Sequence, residues 1–249
     1  MTDLYNAIFH RKSVRKYNME PLANDILAEI KEYVSQVEPL EKSINVEFSY
    51  ISTNDVKNIL PIKAPHYLCV YSKKTGNYLM NVGFMIQQVD LYLSSKGIGS
   101  CWLGMAKPTN GVPTQLNGME FVIMLAFGNS LESIHRSDLS QFKRKDLTEV
   151  GTAKGVDEIL NAVRLAPSAT NSQPWFIAGN GEKLQIYRVK LGMIKAALYD
   201  KMNQIDIGIG LCHLFLAAKA LGKDAQIKED KKDKAITLQG YEYMTSVKL

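Results

Sequence analysis

Two long apolar helices of this chain carry the same punctuation, and that repetition restricts the fold more than any single motif. Asn81-x-Gly83 is followed by Gln87-Gln88, Leu91 and Gly97, and Asp206-x-Gly208 by Cys212-His213, Leu216 and Gly222. First polar residue to last glycine is 16 positions in both. The preceding segments align too: Pro39 stands nine residues before Phe48, and Pro167 nine before Phe176, each after a helix of similar length. Self-similarity of this kind marks a duplicated unit. The small, glycine-bearing stretch Gly151–Gly155 is the natural boundary, dividing the chain into residues 1–150 and 151–249.

Within this frame, apolar periodicity assigns the elements. Short and long helices are expected over 3–10 and from Asn24, as N-cap, to Val37. Alternation predicts a strand over 46–51, and a continuous apolar run predicts a central strand over 67–71. A helix over 78–96 leads into a loop, Gly97–Gly104, and 120–128 is the clearest strand. The second copy has a helix ending at Ala166, strands at 175–178 and 184–189, helices at 193–202 and 205–221, a charged stretch at 224–234, and closing strands at 235–238 and 241–247. Gly97-x-Gly99 follows a helix rather than a strand, which excludes a dinucleotide-binding fingerprint.

With 249 residues, 46% of them hydrophobic, the chain can bury one large core or two smaller ones. A net charge of +5 without a basic run interleaved with aromatics points away from nucleic acid. Cys69, Cys101 and Cys212 sit in apolar runs without paired spacing, so buried thiols in a reducing cytoplasm are expected. The start has no basic region ahead of an apolar core, and the apolar helices carry polar residues, so neither a leader nor a membrane span is expected. His10, His66, His135 and His213 show no metal-ligand spacing.

Two stretches carry the chemistry. Arg11-x-Ser13-x-Arg15 puts two guanidinium groups and a hydroxyl on one side of an extended chain, which suits a phosphate. Ala166-Pro167-Ser168-Ala169-Thr170-Asn171-Ser172-Gln173-Pro174-Trp175 is a helix-to-strand loop rich in backbone N–H groups, hydroxyls and amides, able to hold a flat, polar-edged ligand. Both resemble the FMN-dependent nitroreductase family. The first matches its N-terminal Arg-x-Ser-x-Arg/Lys signature, and the second matches the loop that lies against the flavin of the neighbouring subunit.

The resemblance implies an α+β fold of mixed, mainly antiparallel sheets flanked by helices, with two pseudo-equivalent halves mimicking the family dimer. It implies that Arg11, Lys12 and Ser13 contact the phosphate and ribityl chain, and that Arg15 lies near the N1–O2 edge as a charge stabiliser. Leu103, Gly104 and Met105 would lie by the reactive edge, with a backbone N–H of Gly104 or Met105 near N5. Lys143, Arg144 and Lys145 would complete the phosphate pocket, and Pro167, Ser168, Ala169 and Asn171 would line the ring. The expected activity is reduction of a small acceptor, a nitroaromatic, quinone or relative, by NADH or NADPH in a ping-pong cycle. No residue is expected to act as an acid or base, because the flavin carries the hydride.

The family places its ring-facing loop soon after the signature; here about 150 residues separate them. Each signature occurs once, in different halves. One FMN per chain and a flavin-competent monomer are therefore expected, a homodimer being the other possibility. The other functional class compatible with these residues is a flavin-binding storage or sensing protein without turnover.

Overall fold

The computed structural model describes residues 2–109, 111–228, 233 and 236–249. The first half opens with α1 (Thr2–Ile8) and α2 (Asn24–Ser35), followed by β1 (Val46–Ile51), β2 (Val56–Lys57) and β3 (His66–Ser72). Then come α3 (Tyr78–Ser95), β4 (Gly99–Leu103), β5 (Lys107–Pro108), β6 (Gln115–Leu116), β7 (Met119–Gly128) and the short α4 (Leu147–Val150). The second half has α5 (Asp157–Arg164), β8 (Trp175–Gly179), β9 (Lys183–Val189), α6 (Met193–Ala220), β10 (Gln226–Ile227) and β11 (Tyr241–Lys248).

The two main sheets share one topology. The first runs β1-β3-β7-β4, and the second, read from β8, runs β8-β9-β11-β10. All these pairings are antiparallel. β3 is central, as its unbroken apolar sequence requires: Leu68 and Val70 face the main core, while Tyr67, Cys69 and Tyr71 face a second cluster with Val14, Tyr17, Cys101 and Met124. Both faces are buried, so no polar alternation is needed.

α3 and α6 form the centre of the molecule, and glycine sets how closely they meet. A methyl group at Gly83 would land on the carbonyl oxygen of Ile205, and one at Gly208 on that of Met80. Each partner is its counterpart plus 125: 80 with 205, 83 with 208. The contact is reciprocal, as a pseudo-two-fold between the helices demands. Side-chain-free positions allow this backbone approach; any Cβ would push the helices apart.

Several expectations need correction. Asn24 is the first helical residue rather than the cap, which is Ala23 and offers no side-chain bond. The expected loop after α3 contains a strand, β4, because Gly97, with φ +76°, turns the chain back along β7. The helices expected at 193–202 and 205–221 are one continuous helix, α6; polar Asn203 and Gln204 suggest a junction, but Asn203 is buried within it. Residues 236–238 are not a strand, and Ala235 lies outside the described residues. Gln226–Ile227, inside the stretch read as merely charged, pairs with β11. Among the described residues, no helix is long and apolar enough to cross a membrane.

Candidate functional site

The Arg11–Tyr17 segment runs beside β4: Ser13 forms a bridge with Ser100, and Val14 N donates to Ser100 O at 2.9 Å. This places Arg11 inside the protein, 1% exposed, with Nε 2.8 Å from Asp90 Oδ2 on α3 and a terminal nitrogen donating to Ser13 Oγ at 3.0 Å. Asp90 also accepts from Ser100 Oγ at 2.6 Å and from Gln87 Nε2 at 3.1 Å. These contacts satisfy a carboxyl group that would otherwise be costly to bury. Arg15 is exposed; its backbone N–H binds Glu132, which also lies 3.8 Å from Lys12 Nζ.

Arg136 joins this cluster from far along the chain. A bridge between Arg11 and His135, and Arg136 N donating to His10 O, set its position. Its guanidinium donates to Arg11 O and lies 4.2 Å from the centre of the Phe142 ring. Arg144 approaches the same ring at 5.6 Å and donates to Phe142 O, Leu165 O and Asn171 Oδ1. Burial, then the charges of Arg11 and Arg15, push the Arg136 pKa down to about 10. Burial, then Arg11, Arg136 and Arg164, push that of Arg144 down to about 9. Both stay cationic at neutral pH. Among the described residues no carboxylate side chain pairs with Arg15, Arg136 or Arg144, and Arg144 Nε is buried without a partner.

The loop after α5 docks onto this cluster. Arg144 holds Asn171 Oδ1 at 2.5 Å, Asn171 Nδ2 donates to Lys143 O at 3.0 Å, and both Lys145 N and Lys145 Nζ bind Gln173. Ser168 Oγ accepts from Gln173 N, closing the loop on itself. Thr170, Asn171 and Gln173 have φ of +52°, +59° and +47°, and Lys143 has +39°. Four of the five left-handed non-glycine residues described thus meet at one place, a conformational cost that clusters at functional sites. Pro167 is buried, and Ala169 N is held by Asp206 of α6.

The end of β4 meets the same helix. Leu103 is buried, while Gly104 and Met105 are exposed. A Cβ on Gly104 would strike the Met202 thioether, so the turn lies close against α6 and a larger residue there would displace the Met202 side chain. His213, further along α6, is buried, binding Ala162 O through Nδ1 at 2.8 Å and Gln87 through Nε2 at 3.1 Å. Burial, first of all, drives its pKa down to about 3.

The structure therefore brings Arg11, Ser13, Arg144, Lys143, Lys145, Ser168, Ala169 and Asn171 into one connected region. Lys12 and Arg15 lie on its outer side, and Leu103, Gly104 and Met105 lie beside α6. Sequence reasoning missed Arg136, Phe142, Asp90, Gln173 and Asp206. Asp90 carried a readable signal, being the one charged residue within 78–95, and such a residue on a buried helix needs a partner. Arg136 carried none.

The family model described as "Putative TM nitroreductase" matches residues 3–218. A structure titled as a putative nitroreductase from Thermotoga maritima MSB8 is similar over 98% of this chain and 92% of that one, with 20% identity and a TM-score of 0.64. A nitroreductase family protein from Clostridium difficile 630 covers 60% of this chain and 96% of that one, at 16% identity and a TM-score of 0.46. A nitroreductase with bound FMN from Bacteroides fragilis NCTC 9343 covers 49% and 86%, at 18% identity and 0.39. No curated protein matches the chain. The family match spans most of the sequence, and the Thermotoga structure shares its architecture from end to end: the chain belongs to the nitroreductase family.

Proposed function

We propose that the protein is an FMN-dependent oxidoreductase of nitroreductase type, reducing a small acceptor such as a nitroaromatic or quinone. The carrying observation is the guanidinium cluster. Arg11, Arg136 and Arg144 gather around one region, and among the described residues only Arg11 of the three pairs with a carboxylate, Asp90. Like charges held close at reduced hydration repel one another, and a phosphate dianion relieves that repulsion through charge-assisted hydrogen bonds. The unpartnered Arg144 Nε fits the same ligand.

Arg136 and Arg144 would bind the phosphate, while Ser13 and Arg11, locked to Asp90, would shape its pocket together with Lys12, Lys143 and Lys145. Pro167, Ser168, Ala169 and Asn171 would face the ring, and Leu103, Gly104 and Met105 its reactive edge. FMN held there would supply the hydride chemistry between NADH or NADPH and the acceptor, in a ping-pong cycle. Arg15, near the pyrimidine edge, would stabilise negative charge there. The residues come from both 1–150 and 151–249, so a monomer would complete one site.

The absorption spectrum of the purified protein tests this: paired bands in the visible and near ultraviolet are expected, with one FMN per chain on extraction. NADH or NADPH added without oxygen should bleach them. A yellow protein that does not bleach would be a binding protein, and a colourless one that ignores added FMN would sink the proposal. Arg15→Ala should keep FMN but slow bleaching, the loss of one charge-assisted bond costing roughly 1.5–3 kcal/mol.

A further inference from the structure

Each central helix offers one side chain to the loop of its own half, two residues before the crossing glycine. Asn81 Oδ1 accepts from Glu41 N at 2.9 Å. Asp206, its counterpart plus 125, accepts from Ala169 N, with both carboxyl oxygens at 3.1 Å. The amide at 81 and the carboxyl at 206 do the same work, yet a carboxyl is costlier to bury. Asp206 is 3% exposed, and among the described residues no cation pairs with it.

Its surroundings are uncharged. The 166–173 loop, the Met80–Gly83 stretch of α3 and Leu103–Met105 contain no ionised side chain. Arg144 and Lys145 meet the loop at its far end, at Asn171 and Gln173. Lys201, on α6 itself, donates to Val122 O, Asp200 pairs with Arg188, and His213 binds Gln87 and Ala162 O. One turn before Asp206, Asn203 Oδ1 is buried with no hydrogen-bond partner. Side chains three apart on a helix are neighbours, so an O–H at position 206 would supply the donor that this oxygen lacks, whereas a carboxylate has only lone pairs to offer.

We propose that Asp206 is a positioning residue acting as the neutral acid: it accepts from Ala169 N–H, donates to Asn203 Oδ1, and thereby holds the left-handed turns that set Asn171 against Arg144. Burial, which pushes its pKa up to about 8, agrees with this. The folded chain then keeps a proton that the unfolded chain releases near pH 4. The stability this confers is complete below that pH and is lost as pH rises to about 8.

The role rests on the loop geometry, and its consequence for cofactor binding rests on the function proposed above. The test uses the full chain with Asp206→Asn, which copies the Asn81 arrangement, and Asp206→Ala. Without flavin, the wild-type melting temperature should fall between pH 6.5 and pH 8, above the range in which His213 opposes it, and the fall should be much reduced in Asp206→Asn. Exchange of the Ala169 amide should quicken about tenfold or more in Asp206→Ala and far less in Asp206→Asn, the loss of one buried hydrogen bond. The FMN dissociation constant should rise about tenfold from pH 7 to pH 9 in the wild type and by much less in Asp206→Asn. Identical pH profiles for wild type and Asp206→Asn, or an Ala169 amide indifferent to Asp206→Ala, overturn the proposal; if Asp206→Ala does not fold, the Asp206→Asn profiles decide. Stability and exchange behaving as expected in a protein that binds no FMN at any pH would leave Asp206 its role and reject the cofactor.

Discussion

At matched positions the two halves do opposite things. In the first, α3 carries Asp90, and the space above it is filled by Arg11, brought in by the segment that runs along β4. In the second, the counterpart of Asp90 is Phe215, packed edge-on against Phe84. There a cavity of about 800 Å3 opens between α2, α3 and the end of α6, lined by Tyr33, Tyr92, Phe215 and Lys219 among others. Nothing described in the second half corresponds to the Arg11–Tyr17 segment along β10. The two halves share their sheet order and their helix crossing and differ in what lies over them. The first half received cations and a partner for them; the second kept the strained loop and left the matching space open.

The strongest way to sharpen this contrast is to remove the anion. Asp90→Ala should destabilise the fold by about 3–5 kcal/mol, because Arg11 would be buried without a counter-charge. Phe215→Ala, at the half-buried counterpart, should cost less than half of that. Denaturant unfolding of both variants measures the difference, and equal losses would mean that the two positions are not functionally distinct.

The crossing, by contrast, should respond symmetrically. Gly83→Ala and Gly208→Ala each force a methyl group onto a carbonyl oxygen of the other helix. Both should lose about 1–3 kcal/mol or more, by similar amounts. A large loss at one and tolerance at the other would break the pseudo-two-fold account of the centre.

Cofactor binding should again separate the halves. Arg144→Ala should weaken FMN by roughly 1.5–3 kcal/mol, whereas Lys219→Ala at the cavity should leave both affinity and the one-to-one stoichiometry unchanged. Calorimetry with FMN reads both numbers. Two bound FMN per chain, or a cavity variant that loses the flavin, would remove the distinction.

The smallest effect concerns His213, whose counterpart is Gln88. A histidine held neutral down to about pH 3 in the folded state, but protonated near its ordinary value when unfolded, costs stability as pH falls below about 6.5. His213→Gln should raise the melting temperature at pH 5 relative to the wild type and change little at pH 8. An unaltered pH dependence would show that His213 is not the group responsible.

Much of this was legible in the sequence. β1 is found where alternation put it, and β3 and β7 within a residue at each end, because their patterns come from burial along a single strand. The common spacing of the two long helices predicted a repeated unit; that they cross at Gly83 and Gly208 came only from the structure, because glycine spacing alone does not name the partner helix. The candidate site was legible only in part. Arg11 and Asn171 stood in recognisable strings, but Arg136 reaches the cluster through a bridge to the Arg11 segment. No local pattern encodes a contact across that much chain. The continuity of α6 was hidden for another reason. Its first turns expose Met193, Ile194 and Leu198, so no apolar stripe joins them to the buried remainder.

That continuity has a mechanical consequence. Twenty-eight residues of unbroken helix make a rod of about 40 Å. Along it lie, in order, the exposed apolar turns, the Met202 contact with Gly104, the anchor of the Ala169 loop, the crossing at Gly208, and the Phe215–Lys219 wall of the cavity. Helices curve gently but do not fold sharply without a proline, a bulge or an inserted group, and α6 contains no proline. A tilt imposed at one end is therefore felt at the other, so the Gly104 turn and the distant cavity share one lever although they share no residue.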